Sequence, residues 1–325
     1  MPEQSAAAPL NRRIWIDGEL VPWEQASVHV LSHSLQRGSL IFDYMSIHET
    51  SRGAAIFRLR EHLERFQRSA ELVGLPLERE RAELEAACVL TVAANPGAKS
   101  LKISAYIPSI EVDVVPQDAR VRVAIAAYDP WKDVIQRNTG EWPQRKTLSV
   151  WIEKQRKNRR PDIMPPQAKV ASNYTSPMAA KWAARRAGYD EILLVDDEGF
   201  VAEGPTSNVF WVDAEGTVCT PPEQTVLLGI TRLSILELAK HDGIPAEETR
   251  VRPAELMAAR EVFITGTTAG VWPVTSIDGQ TVGSGEPGPL TLRLRERFAQ
   301  VSAGEDPAFE HWLTPVSAGS GGPAA

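Results

Sequence analysis

The sequence predicts an α+β protein of two domains. Three observations carry this. Strand-like and helix-like periodicities interleave along the chain, with no internal repeat. The 325 residues are enough for two domains of ordinary size. A turn-rich stretch, with Asp129-Pro130, Asn138 and Gly140, separates two halves that each hold both kinds of element. The expected division is a disordered N-terminus at 1–12, an N-terminal domain at 13–129, a linker at 130–140, a C-terminal domain at 141–316 and a disordered C-terminus at 317–325. The last segment contains Gly-Ser-Gly-Gly-Pro, which offers little apolar surface to bury.

Taken in order, Arg13–Ile16 and Leu20–Trp23 read as strands joined by Asp17-Gly18, a hairpin signal because both residues tolerate positive φ. Residues 28–47 alternate between apolar stretches and a polar centre, Ser32 to Arg37. Ala55–Leu59 is a short strand. From Glu61 to Val73, Leu63, Phe66, Ala70 and Val73 recur at helical spacing, and Gly74 and Pro76 end that helix. A second helix is expected from Glu78 to Ala93, then strands at Ser100–Ile107 and Arg120–Ala127. The second half opens with a strand at Thr147–Ile152 and a Pro-rich loop, Pro161–Pro166. Ser176-Pro177 reads as a helix start, with Ser176 as N-cap, and Gly188 as its end. Strands at 191–195, 200–202 and 207–212 follow. Helices are expected at Thr231–His241 and Leu290–Ser302, with an apolar strand, Val262–Thr265, between them.

Bulk composition narrows the function classes. A hydrophobic fraction of 43% with 24% charged residues is that of a soluble globular protein. The net charge of -7 argues against a nucleic-acid binder. One basic run, Lys154–Arg160, reads as a solvated loop before Pro161. Cys88 and Cys219 make no disulfide framework and are expected as buried thiols in a reducing compartment. The N-terminal residues show no signal-peptide pattern, and no apolar stretch is long enough for a bilayer. The expectation is a cytoplasmic enzyme of small molecules, with no membrane, nucleic acid or metal involved.

Chemistry concentrates in the second half. Ala-Lys-Val-Ala-Ser-Asn-Tyr (168–174) leads into an Ala-rich helix, Glu-Gly-Pro-Thr-Ser-Asn-Val-Phe (203–210) follows a strand, and Leu-Gly-Ile-Thr-Arg (228–232) opens another helix. A lysine, a tyrosine and a carboxylate, followed by a Gly-led helix start, are the equipment for holding pyridoxal 5'-phosphate. Lys169 is the candidate amine that condenses with the aldehyde, since partial burial favours the uncharged nucleophile. Glu203 is the candidate carboxylate against the pyridine nitrogen, whose protonation makes the ring an electron sink. The backbone N–H groups of Ile230 and Thr231, at a helix N-terminus, suit a phosphate dianion.

In these motifs the chain resembles the class IV aminotransferases, the fold-type IV pyridoxal-phosphate enzymes. They include branched-chain and D-amino-acid aminotransferases, (R)-selective amine transaminases and aminodeoxychorismate lyase. The resemblance runs from Ile14 to Leu313 and implies the fold-type IV architecture, with a small α/β N-terminal domain and a larger C-terminal domain that carries a mixed, barrel-like sheet. It implies that Lys169 also shuttles the substrate proton, and that Tyr174 bonds the cofactor's phenolic oxygen. Asn208 would support its loop, and Thr267, in Gly266-Thr267-Thr268, would form a second phosphate loop. Arg60 would reach the phosphate, with Arg58 as the competitor if the register is off by two. It further implies a homodimer or higher homo-oligomer, loops of one small domain reaching the neighbour's pocket.

The substrate side departs from the branched-chain pattern. Arg37 stands in place of a tyrosine, Tyr44 in place of a glycine and Ser46 in place of an arginine, while Phe42 matches a shared aromatic. The strand Leu101–Ser104 lacks an arginine that helps bind a carboxylate in those enzymes, and Ile103 stands near that place. A buried carboxylate needs a cation or a set of donors. Either Arg37 supplies it, or the preferred donor has no carboxylate, or Arg37 is a surface residue. The expected substrate contacts are Arg37, Phe42, Tyr44, Thr268 and Ala269, with Trp272 as a pocket wall or a core residue. The activity implied is transfer of an amino group from an amino acid or primary amine to a 2-oxo acid. A lyase of the aminodeoxychorismate type is the alternative, and a turnover-free binding domain is the reading outside enzymes.

Overall fold

The computed structural model describes residues 10–138 and 146–316. Residues 1–9 of the expected disordered N-terminus, the expected disordered stretch 317–325 and the end of the expected linker lie outside the described residues. Contacts divide the chain into two compact units. The first comprises Met1–Gln67, Leu75–Gln144 and His311–Ala325, and the second Arg68–Gly74 and Arg145–Glu310.

The first unit is built on a sheet of seven strands. In chain order these are β1 (Arg13–Ile16), β2 (Glu19–Pro22), β3 (Ile41–Thr50), β4 (Gly53–Phe57), β5 (Ser100–Tyr106), β6 (Arg122–Tyr128) and a C-terminal strand, Leu313–Pro315. The spatial order is C-terminal strand, β4, β3, β5, β6, β1, β2, and every neighbouring pair is antiparallel. The β1–β2 hairpin turns at Asp17 and Gly18, both at positive φ, as the Asp-Gly pair predicts. Pairing of Leu313–Pro315 with β4 puts the chain's last strand in the first unit, which corrects the C-terminal domain expected to run to 316.

Residues 28–47, read from sequence only as alternating segments, fold into α1 (His33–Arg37) and β3. Along β3, Ile41, Asp43, Met45 and Ile47 are buried, whereas Phe42, Tyr44, Ser46 and His48 are half-buried on the opposite face. The helices α2 (Leu59–Val73) and α3 (Arg81–Ala93) follow the predicted periodicity. Leu63 and Phe66 of α2 are fully buried, and α3 packs on β1, β5 and β6 through residues such as Leu84, Cys88 and Val92. Burial of each such side chain is worth about 1.5–3 kcal/mol. Gly74, at φ +67, stops α2. The start of the expected linker is helical rather than irregular. Asp129 Oδ1 accepts the N–H groups of Trp131 and Lys132, capping a π-helical turn, Pro130–Ile135, that runs into α4 (Gln136–Asn138).

The second unit carries the mixed sheet. Its strands are β7 (Leu148–Glu153), β8 (Glu191–Leu194), β9 (Asn208–Val212), β10 (Val218–Thr220), β11 (Ala246–Glu248), β12 (Glu261–Gly266), β13 (Gly270–Ile277) and β14 (Gln280–Thr281). They lie in the order β11, β10, β9, β12, β13, β7, β8, with β14 alongside β13. The pairs β10–β11, β13–β7 and β7–β8 are parallel and the remainder antiparallel. The helices are α5 (Thr175–Arg186), α6 (Ile230–His241), α7 (Pro253–Met257) and α8 (Pro289–Ser302). One core joins Val150, Ile152, Leu193, Val209, Trp211, Val262 and Ile264. On the other side of β8, Ile192 and Leu194 pack on Ala180 and Ala184 of α5. Burial on both faces accounts for the unbroken apolar run Ile192–Val195.

Candidate active site

Lys169 precedes a 3-10 turn, Ala171–Tyr174, that leads directly into α5. Its neighbours Ala168 and Val170 are buried. Its own N–H donates to Ser69 Oγ (3.0 Å), and Asn173 Nδ2 donates to Ala168 O (3.0 Å). The backbone on both sides of the lysine is therefore fixed. The turn brings Tyr174 back, so that Lys169 Nζ donates to the Tyr174 hydroxyl at 3.1 Å. Helix α5 begins at Thr175, with Ser176 and Pro177 already inside its first turn, which corrects the expected Ser176 cap. Proline is tolerated there because the N–H it lacks has no intrahelical acceptor. Gly188, at φ +90, ends the helix region as expected.

Glu203 is buried at the mouth of a tight turn closed by Gly204 N–H to Ser207 O (2.8 Å) and by a bridge between Glu203 and Asn208. Its Oε2 accepts the Leu227 N–H (3.1 Å), and its Oε1 accepts Nη1 of Arg159 (3.2 Å). Burial pushes the Glu203 carboxyl above its ordinary range; Arg159, the Leu227 N–H, Asn158 and Lys169 pull the other way. A carboxylate short of compensation suits a further cationic N–H donor.

Asn208 links this turn to the helix start. Its Nδ2 donates to Leu227 O (2.9 Å), and its Oδ1 lies where a side chain on Gly229 would begin, 2.0 Å from an ideal Cβ. Only glycine fits there, and it opens α6 with buried Ile230 and Thr231 at its first turn. The hairpin between β12 and β13 carries Thr267, Thr268 and Ala269; Thr267 is half-buried and Thr268 exposed. Gly266 at its base approaches Thr206 O, at 3.3 Å from an ideal Cβ. Thus Lys169, Tyr174, Glu203, Asn208, Ile230, Thr231 and Thr267 belong to one connected neighbourhood of the second unit. In it Ser207 Oγ, Thr265 Oγ1 and Arg159 Nε are buried without a protein hydrogen-bond partner, as polar atoms of a ligand-holding wall would be. The residues present fit a phosphorylated, aldehyde-bearing heterocycle.

The remaining expected residues lie in the first unit or on strands. Arg60 sits on the exposed face of α2, its guanidinium paired with Glu64 (3.2 Å) and about two-thirds exposed, 69%. The phosphate role expected of it has no support in this geometry. Arg58, the competitor, is the buried one: its φ is +48, its guanidinium lies 4.4 Å from the Trp312 ring centre and its Nε donates to Glu61 (2.7 Å). Arg37, the last residue of α1, is exposed and donates to Val112 O (3.0 Å), which ties the helix to the loop of Val112. Tyr44 donates its hydroxyl to Ser100 Oγ (2.6 Å). Phe42 lies on the same half-buried face, with Lys102 Nζ 4.9 Å from its ring centre. Ile103 points into the core, so the residues of β5 that share this face are Lys102 and Ser104. From sequence, Ile103 is named on this strand and Lys102 is not. Trp272 packs against the core of the second unit.

Two further residues escaped the sequence reading, Asn158 and Arg159. They lie inside the basic run read as solvated, yet Asn158 is buried and the Arg159 side chain is only 8% exposed. The signal was the position of the run, just before the Pro-rich loop that leads to Lys169.

This two-unit α+β chain, with Lys169, Tyr174 and buried Glu203 in one neighbourhood, is similar to known cofactor-dependent amino-group enzymes. The family model for amino-transferase class IV matches residues 40–277. The branched-chain-amino-acid aminotransferase of Escherichia coli strain K12 is 36% identical over 313 residues, covering 94% of this chain and 97% of that protein. Among solved structures, the branched-chain aminotransferase of the thermophilic archaeon Thermoproteus uzoniensis with norvaline superposes with a TM-score of 0.85 at 33% identity, covering 94% of this chain and 99% of that one. The branched-chain amino acid aminotransferase of Thermobaculum terrenum in its PLP-bound form superposes with a TM-score of 0.83 at 29% identity, with 94% and 99% covered. The chain belongs to the class IV aminotransferases. It is a pyridoxal-phosphate-dependent enzyme that moves an amino group from an amino donor to a 2-oxo acid.

Proposed function

We propose that Lys169 is the catalytic amine of this transaminase and that Tyr174, Glu203, Asn208, Ile230, Thr231 and Thr267 hold its cofactor. The 3.1 Å contact of Lys169 Nζ with Tyr174 OH, beside the buried Glu203, carries the reading. When bound, pyridoxal phosphate supplies an electron sink for charge developing at the substrate carbon. Lys169 Nζ takes the proton from the donor's α-carbon and returns it, and the Tyr174 hydroxyl fixes where that nitrogen points. Glu203 would face the ring nitrogen and favour its protonated form, and the α6 N-terminus and Thr267 would hold the phosphate. Lys169→Ala is expected to lower turnover by ~10⁴-fold or more and to abolish covalent trapping by borohydride. A variant that still turned over would overturn the assignment.

For the donor we propose a branched-chain amino acid, the substrate named in its relatives, with Phe42 and Tyr44 as apolar contacts and Thr268 and Ala269 on the β12–β13 hairpin. Arg37, committed to Val112 O, is the weakest of the expected contacts. A panel of L-leucine, L-glutamate, D-alanine and (R)-1-phenylethylamine tests this; turnover with the last alone would move the chain to the amine-transaminase branch.

We further propose a cytoplasmic homodimer. Val30, Leu31 and Leu35 are exposed near α1, and Val112, Val114 and Val115 in the loop that the Ser32–Ile110 bridge and the His33 N–H to Ser109 O bond hold beside it. So much clustered apolar surface asks for a partner, and a second copy supplies one. Leu35→Asp with Val112→Asp should convert the species seen by light scattering to a monomer. Among the described residues no helix is long and apolar enough to cross a membrane.

A further inference from the structure

The basic run Lys154–Arg160 sends one cation inward. Arg159 Nη1 donates both to Glu203 Oε1 (3.2 Å) and to Pro166 O (3.1 Å), and the guanidinium lies 5.5 Å from the Tyr174 ring centre. Its Nε is buried without a partner. A charge taken out of water this far is kept only where another charge needs it. The groups that face Glu203 are Arg159, Asn158, the Leu227 N–H and Lys169. Of these, Arg159 makes a direct ion pair with Glu203, while Lys169 Nζ donates to the Tyr174 hydroxyl.

We propose that Arg159 is a positioning residue: by pairing with Glu203 it keeps that carboxylate ionised and fixed for the protonated ring nitrogen of pyridoxal phosphate, while bracing the Tyr174 ring. The inference rests on the site assignment above, and it concerns a residue outside the lysine, tyrosine and glutamate motifs. Glu203 is buried enough to hold a proton of its own, and in that state it no longer favours the ring cation. Removing Arg159 should therefore make cofactor binding fail at a higher pH.

The test is the affinity of the cofactor-free full chain for pyridoxal phosphate, read by quenching of tryptophan fluorescence across a pH series. Arg159→Gln is expected to weaken binding about tenfold at neutral pH and to move the acid loss of binding upward by about one pH unit. In a Glu203→Gln background the same substitution should leave the pH profile unchanged. The double variant should also melt above Glu203→Gln alone, because it removes the guanidinium that the single variant leaves buried and unpaired. That last comparison decides the matter even if Arg159→Gln alone does not fold. A wild-type pH profile in Arg159→Gln overturns the inference, as does an equal shift in the Glu203→Gln background or a double variant no more stable than the single. Failure of the unsubstituted chain to take up pyridoxal phosphate would overturn the site assignment itself.

Discussion

Two buried carboxylates, one in each unit, differ in how fully their partners compensate them. Asp43, on β3, accepts Arg65 Nε and Nη2 (2.9 and 2.8 Å), His62 Nδ1 (2.7 Å) and the Tyr44 N–H (2.7 Å). Burial would raise its carboxyl, but Arg65 and His62 together hold it well below the usual carboxylate range. Glu203 has one guanidinium and one backbone N–H at 3.2 and 3.1 Å, plus Asn158, and burial prevails, leaving its carboxyl raised. Four short bonds saturate Asp43, so it clamps β3 to α2 and has nothing left to offer. The looser set around Glu203 leaves capacity for one more cationic donor. A saturated carboxylate stabilises a fold, whereas an under-compensated one waits for a ligand.

That contrast is breakable. Asp43→Asn should cost the most, about 3–5 kcal/mol in a denaturant melt, because it leaves Arg65 buried against a neutral group. Glu203→Gln should cost less, about 2 kcal/mol, since Gln still accepts the Leu227 N–H and Arg159 keeps Pro166 O; its activity should nonetheless fall by ~10²-fold or more. Equal losses in stability would erase the distinction. The two should also bend the pH profile of stability in opposite senses. Asp43 is depressed in the fold, so its contribution is complete above its unfolded value of about 3.9 and is lost as pH falls below it. Glu203 is raised, so without cofactor the fold loses stability as pH rises from its unfolded value of about 4.3 towards the folded one. Cofactor-free Glu203→Gln should lack that decline and Asp43→Asn should lack the acid limb, each limb amounting to at most about 1.4 kcal/mol per pH unit. The smallest effect is expected of Arg60→Ala, within about 0.5 kcal/mol and without change in cofactor affinity, as for an exposed ion pair. A tenfold loss of affinity would restore Arg60 to the phosphate site.

Much of this was legible in the chain. Helices α2, α3, α6 and α8 lie where the sequence predicts helices, with ends within a few residues, and for α2 the spacing of its apolar residues and the stop at Gly74 and Pro76 carry the prediction. The structure places Lys169 beside Tyr174 and buries Glu203 through local segments: a 3-10 turn that carries the chain from lysine to tyrosine, and a turn closed by its own backbone around Glu203. Residues whose role depends on the facing parity of a strand were harder. On β5 Ile103 is buried while Lys102 and Ser104 share the half-buried face, and a period of two reverses every side chain with a slip of one. The C-terminal strand was missed because its partner, β4, lies far away in the chain.

The sequence by itself determined the class of fold, the ordered motifs and the chemistry those motifs can support, since each depends on local spacing and on residue type. Only the tertiary structure decided which charges are buried. It turned Arg159 from a solvated run towards Glu203, left Arg60 at the surface, and gave Asp43 a doubly hydrogen-bonded arginine and a histidine where Glu203 has a single guanidinium contact. Burial and ion pairing are set by what the rest of the chain brings alongside, and no local pattern encodes that.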